Sequence, residues 1–157
     1  MGLHQEVSQI LDNNIQRIVR PAQLYTNVVG AYNLFAVRDG PIMALKLVGM
    51  HTAASGGAAT LAVTLTGGIG MDAGAVAING AVGTVVNVGL NVATVQAGAA
   101  VGIPNTDALF YPKGTTIGLQ AALAPTFIIG TFAVSTVTML WVLLYYKLTP
   151  ESHVEVS

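Results

Sequence analysis

Residues 127–146 read FIIGTFAVSTVTMLWVLLYY, twenty residues without a charge, closed by Lys147. How this stretch is read decides the fold. Its length meets the threshold for a membrane-spanning helix. Trp141, Tyr145 and Tyr146 near one end suit an aromatic belt. Its composition points the other way. Ile128, Ile129, Thr131, Val134, Thr136, Val137, Thr138 and Val142 are β-branched, and such side chains fit a pleated strand better than a helix. Residues 135–139 (STVTM) alternate polar and apolar with the period of a strand. The stretch is therefore expected to form two buried β-strands, with a membrane span over 127–146 as the competing reading.

Working outward, the same kind of segment recurs. From residue 31 onward, short apolar runs are separated every eight to twelve residues by Gly, Asn, Asp and Pro. Strands are expected at 31–37, 42–52, 59–66, 75–78, 83–88, 115–120, 126–132 and 134–148. This spacing indicates an all-β sandwich or barrel, jelly-roll-like and antiparallel. Asn79-Gly80 fits a type I′ hairpin turn, and residues 67–70 (GGIG) a hairpin tip. Residues 89–110 read as a long loop with one weak strand. Within 61–66 the alternation is clear: Leu61, Val63 and Leu65 face one way, and Ala62, Thr64 and Thr66 the other. The second face lacks the Lys and Glu that normally protect a strand facing water, so it suits contact with another chain.

The ends read differently. Leu3, Val7, Ile10, Leu11, Ile15, Ile18 and Val19 recur at three- and four-residue steps, and Pro21 stops the run, which predicts an amphipathic helix over 3–20. It packs either on the β domain or on a neighbouring subunit; both readings stay open. No apolar signal-peptide core is present in residues 1–20. The domain plan is thus an N-terminal helical arm (1–30), a β domain (31–148) and a polar C-terminal tail (149–157), ordered only if a partner holds it.

Composition narrows the function classes. The chain has 157 residues, 53% of them hydrophobic and 8% charged, with 18 glycines, no cysteine and a net charge of −1. So few cations leave no electrostatic footprint for nucleic acid. Thiolate metal sites and disulfides have no ligands. His4, His51 and His153 form no metal-spaced pair and are expected at exposed or edge positions. Asp39, Asp72 and Asp107 stand in turn-like contexts, where Asp bonds to its own backbone. No phosphate loop, dinucleotide fingerprint or nucleophile elbow is present. No catalytic, cofactor-binding or metal residue is therefore expected, and the chain is read as a non-enzyme without cofactor, small-molecule substrate, nucleic acid or membrane partner.

Four segments resemble a known group. Residues 34–43 (LFAVRDGPIM) lead into the apolar run 44–49, residues 78–84 read INGAVGT, residues 112–117 read PKGTTI, and residues 139–146 (MLWVLLYY) hold the tryptophan. Together they are similar to segments of small virion structural proteins of tailed bacteriophages, commonly decoration or cement subunits of the head. The likeness covers about residues 32–148; the 3–20 segment has no counterpart in it. The resemblance implies a small β-barrel or sandwich subunit without catalytic residues. Its expected partners are the major capsid protein and copies of itself, with a trimer favoured. It would sit on the capsid surface of the virion and in the host cytoplasm during assembly. A tail, neck or adaptor location is the alternative. The contact residues expected are Ile10, Leu11, Ile15 and Ile18 on the arm, with Trp141 and Tyr145 on the strand face. A surface so poor in charge is a solubility problem for a free monomer and suits a subunit covered by others.

Overall fold

The computed structural model describes residues 15–28, 30–66, 75–89, 94–97, 115–117 and 126–157. These residues form eleven strands: β1 (Ile15–Tyr25), β2 (Ala31–Arg38), β3 (Ile42–His51), β4 (Thr60–Leu65), β5 (Val76–Ala77), β6 (Val85–Gly89), β7 (Thr94–Ala97), β8 (Thr115–Ile117), β9 (Thr126–Ala133), β10 (Val137–Lys147) and β11 (His153–Val156). No described residue is helical. The first sheet has the order β1-β10-β3-β6-β7, with β8 pairing a second stretch of β3; the second has the order β11-β2-β9-β4-β5. Every strand pair is antiparallel.

The opening stretch folds as two strands, β9 and β10, one in each sheet. Between them Val134 adopts φ 73° and the Ser135 N–H donates to the Ala133 carbonyl at 2.9 Å, which starts β10 at Val137 rather than at 134. Among the described residues no helix is long and apolar enough to cross a membrane. In β10, Val137, Met139, Trp141, Leu143 and Tyr145 point inward and are buried. In β4, Leu61, Val63 and Leu65 do the same, and the Ala62 and Thr64 face is half-buried, as the alternation predicts.

The inward side chains of both sheets make one core. Tyr25 of β1 stacks on Phe132 of β9 at 4.4 Å, and Phe132 meets Trp141 of β10 edge-on at 6.4 Å. Aromatic pairs of this kind add to the burial of their area. Trp141 packs closely against the next strand because its neighbour there is Gly49: a Cβ at that position would come within 2.8 Å of two indole carbons.

Three expectations are corrected. The first is the helix over 3–20. Residues 15–25 are strand β1, the edge of the first sheet, paired with β10 from Ile15↔Tyr146 to Tyr25↔Val137. Ile15, Ile18 and Val19 satisfy a helical recurrence, but they also satisfy a strand with Ile18 and Arg20 inward and Ile15, Arg17 and Val19 outward. Long-range pairing with β10 favours the second. Pro21 does not stop the element: it sits at the register shift between Arg20 and Gln23 on an edge strand, where its missing N–H costs no ladder bond. Residues 3–14 lie outside the described residues.

The second is the C-terminal tail. Its residues 153–156 are β11, paired with β2 from His153↔Arg38 to Val156↔Phe35, with Val154 buried in the core. The chain's own free edge holds them. The third is the Asn79-Gly80 hairpin. β5 and β6 belong to different sheets, so the segment crosses between layers. Ser55 pins it there, donating its N–H to the Gly80 carbonyl at 3.0 Å and accepting the Gly80 N–H at 3.1 Å. The positive φ falls at Gly83. The GGIG segment at 67–70 lies outside the described residues.

Candidate interaction face

β10 is apolar on both sides, so burying one face in the core leaves the other facing out. Register places the outward residues in rows. Val19, Val142 and Val48 align across β1, β10 and β3; Leu140, Met50 and Val85 align across β10, β3 and β6; Ile15, Tyr146 and Met43 form a third row. Leu24 beside Thr138 closes one end and is 54% exposed, with Val19 at 44% and Ile15 at 38%. The described cations of this face are Arg17 and Lys46, which flank Leu144 on either side. With strands about 4.8 Å apart and residues about 3.4 Å apart, four strands by nine residues span about 14 Å by 27 Å. Contiguous apolar patches beyond a few hundred Å² on soluble chains mark contact surfaces.

Of the six contact residues expected from the sequence, the structure brings one to this face. Ile15 lies there, in the row with Tyr146 and Met43. Ile18 points inward and packs against the core. Trp141 is fully buried and Tyr145 is 6% exposed, so both contribute to the core and offer no outer surface. Ile10 and Leu11 lie outside the described residues. The outward residues that sequence reading passed over are Val19, Met43, Val48, Met50, Leu140, Val142 and Tyr146. The signal for them was present: an eleven-residue strand with no polar alternation beyond Thr138 must turn a hydrophobic face away from the core.

The titratable groups are scattered. His51, expected at an exposed or edge position, is fully buried at the end of β3, where its Nε2–H donates to the Ile78 carbonyl at 2.7 Å. The strand's parity, with Leu47, Gly49 and His51 all inward, places it there. His153 lies on edge strand β11, 3.5 Å from both Asp39 and Glu155 carboxylates. Asp39 occupies a turn at φ 55°, consistent with its expected turn role. Asp72, Asp107 and His4 lie outside the described residues. The Arg38 guanidinium donates to Glu155 at 2.9 Å, and that hydrogen bond holds the Glu155 carboxyl below the usual glutamate range. Burial pushes the Tyr25 and Tyr145 hydroxyls above the usual tyrosine value. Among the described residues no three His, Cys, Asp or Glu side chains converge on a possible metal position.

Compared with known proteins, the chain matches no protein-family model, no curated protein and no solved structure.

Proposed function

We propose that this chain is a non-enzymatic virion structural protein: a capsid decoration subunit of a tailed bacteriophage that binds copies of itself and the major capsid protein through the outer face of the first sheet. The apolar rows centred on Val142 carry the reading. A chain that leaves Val19 exposed and Leu140, Val142, Val48, Met50 and Tyr146 half-buried beside it gains by covering what apolar area remains open, at about 25 cal/mol per Å² removed from water. A subunit that binds only the assembled shell stabilises it by mass action, by about 2.7 kcal/mol per site at a hundredfold excess over Kd.

The architecture is compatible with this reading. We take the two sheets as a β-sandwich of jelly-roll type, with β1-β10-β3-β6 facing β2-β9-β4-β5 and β7, β8 and β11 as additions. Jelly rolls serve viral capsids, lectins and cupins alike, so the fold alone assigns no function. The phage-like segments take defined places in it: residues 34–43 turn the corner from β2 into β3, residues 78–84 cross between sheets, and residues 139–146 form most of β10.

The test is self-association together with particle binding. In light scattering coupled to size exclusion, the wild-type chain is expected to run as an oligomer, a trimer by preference, and to co-sediment with purified capsid shells. Val142→Glu is expected to abolish both while keeping a β-type circular dichroism spectrum. A wild-type chain that stays monomeric and ignores shells, or a Val142→Glu chain that behaves as wild type, overturns the proposal.

A further inference from the structure

The two ends of the strands differ in charge. At one end Arg38 and Asp39 close β2, Lys147 closes β10, and Glu151 and His153 follow. The Leu148 N–H donates to the Pro41 carbonyl at 3.3 Å and joins the two turns there. Arg17 and Lys46, on either side of Leu144, and Glu155, beside Ala36, lie in the same half. Arg20, beside Trp141 at mid-height, is buried. From there to the opposite end, the described residues include no Asp, Glu, Lys or Arg.

That opposite end consists of the turn after β1, residues 52–59, residues 78–84 and residues 133–136. Hydrogen bonds tie these segments to one another and to the strand ends: Phe132 N–H to the Gly30 carbonyl at 2.7 Å, Gly56 N–H to Thr136 at 3.2 Å, Ser55 N–H to Gly80 at 3.0 Å, and Gly83 N–H to His51 at 2.8 Å. Turn tips ordinarily carry Gly, Pro, Asn, Asp or Ser. Here they carry Val28, Val82 and Val134, which at 90%, 67% and 65% are the most exposed of the described large apolar side chains. Leu24, the next most exposed, borders them. Val134 is also held at φ 73°, where a β-branched residue is an outlier. Solvent and backbone both disfavour a valine there, and such outliers point to function.

The chemistry of this end selects its occupant. A charged protein surface finds no counter-charge on it. Segments that enter a lipid surface bring cations and aromatic rings, and the described residues of these four segments include neither. The same end of a second copy is neutral and apolar-tipped. Two such ends meet without repulsion and leave both charged ends in water, and a two-fold contact sets the same residues on both sides.

We propose that this loop end pairs with the loop end of a second copy, in a contact separate from the outer face of the first sheet. With two sheets about 10 Å apart and four strands spanning about 14 Å, the end with its side chains covers about 400 Å² per copy, or about 800 Å² in the pair. That is the size of weak, transient contacts, below the roughly 1,200 Å² of stable ones. The pair therefore forms as concentration rises and escapes a dilute sizing column.

Sedimentation equilibrium on the full chain, from about 10 μM to about 1 mM, tests the proposal. The average mass is expected to rise toward twice its low-concentration value. Val28→Glu and Val82→Glu, on two different exposed tips, are each expected to weaken the pairing about tenfold, because symmetry puts two carboxylates into every contact. Leu148→Glu, an exposed position at the charged end, is expected to leave it unchanged. The Val142→Glu chain is expected to show the same rise, from monomer to dimer, which separates this contact from association through the sheet face. A mass independent of concentration overturns the proposal, as does a rise that survives both tip substitutions, one that Leu148→Glu weakens equally, or one that Val142→Glu removes. Binding to phosphatidylcholine vesicles that Val28→Glu abolishes, in a chain that does not pair, overturns it in favour of a lipid surface.

Discussion

Replacing Gly49 by alanine probes the packing of Trp141 directly. In the native arrangement a Cβ on Gly49 would lie 2.8 Å from indole Cη2 and Cζ3 and 2.7 Å from Met139 Cε. The methionine methyl is the end of a flexible chain and swings away at little cost. The indole is fully buried and wedged against Phe132, so it must shift by more than half an ångström to reach ordinary van der Waals distance. Overpacking of this kind costs about 1–3 kcal/mol. Alanine recovers about 0.5–1 kcal/mol of the entropic cost of a strand glycine. The net expectation is a loss of about 1–2 kcal/mol, or about 2–8 °C in Tm for a chain of this size. Urea unfolding followed by circular dichroism measures it. The cause is isolated by repeating the substitution in a Trp141→Phe background, where the clashing ring atoms are gone. There Gly49→Ala is expected to cost about 1 kcal/mol less, a coupling typical of touching residues. Equal cost in both backgrounds, or no cost in either, refutes the inward placement of Trp141 over Gly49.

Two smaller predictions follow from turns and edges. Val134 is 65% exposed and held at φ 73°, a conformation unfavourable for a β-branched residue. Val134→Gly is therefore expected to stabilise by about 1 kcal/mol, raising Tm by about 2–4 °C in scanning calorimetry; a lowered Tm contradicts the turn geometry. Glu155 has its pKa depressed in the folded chain by the Arg38 hydrogen bond. Its contribution is therefore complete above the ordinary glutamate range and is lost as pH falls through the folded value. Arg38→Gln is expected to move the Glu155 carboxyl titration upward in carbon-detected NMR; an unmoved titration shows that the pair exists without consequence.

Much of the β domain was legible because its strands announce themselves locally. The alternation of 61–66 fixed both the existence of β4 and its buried face. The β-branched, Gly- and Ser-punctuated run at 127–146 distinguished two strands from one helix. What failed was decided by distant partners. Ile15, Ile18 and Val19 fit two periods equally, and only the ladder to β10 chooses between them. His153–Val156 is too short and polar to signal a strand, and becomes one because β2 has a free edge beside it. Asn79-Gly80 has the chemistry of a hairpin turn, but its flanking strands bond to different sheets. The outer face of the first sheet has the same ambiguity of parity. Trp141 and Tyr145 are the most conspicuous residues of β10, yet inward and outward sets are equally apolar, and the bulkier aromatic set fills the core. The unbroken apolar run of β10 implies an outward apolar face, but which of its two sets faces out is settled only by packing against the second sheet.

On the proposed function, the outer face of the first sheet is an assembly surface. A density map of purified capsid particles mixed with the chain tests that proposal. The expected result is the chain at fixed positions on the capsid, with the row Val19–Val142–Val48 buried against a neighbouring subunit. A particle that lacks the chain, or one that holds it with this row facing solvent, contradicts the claim.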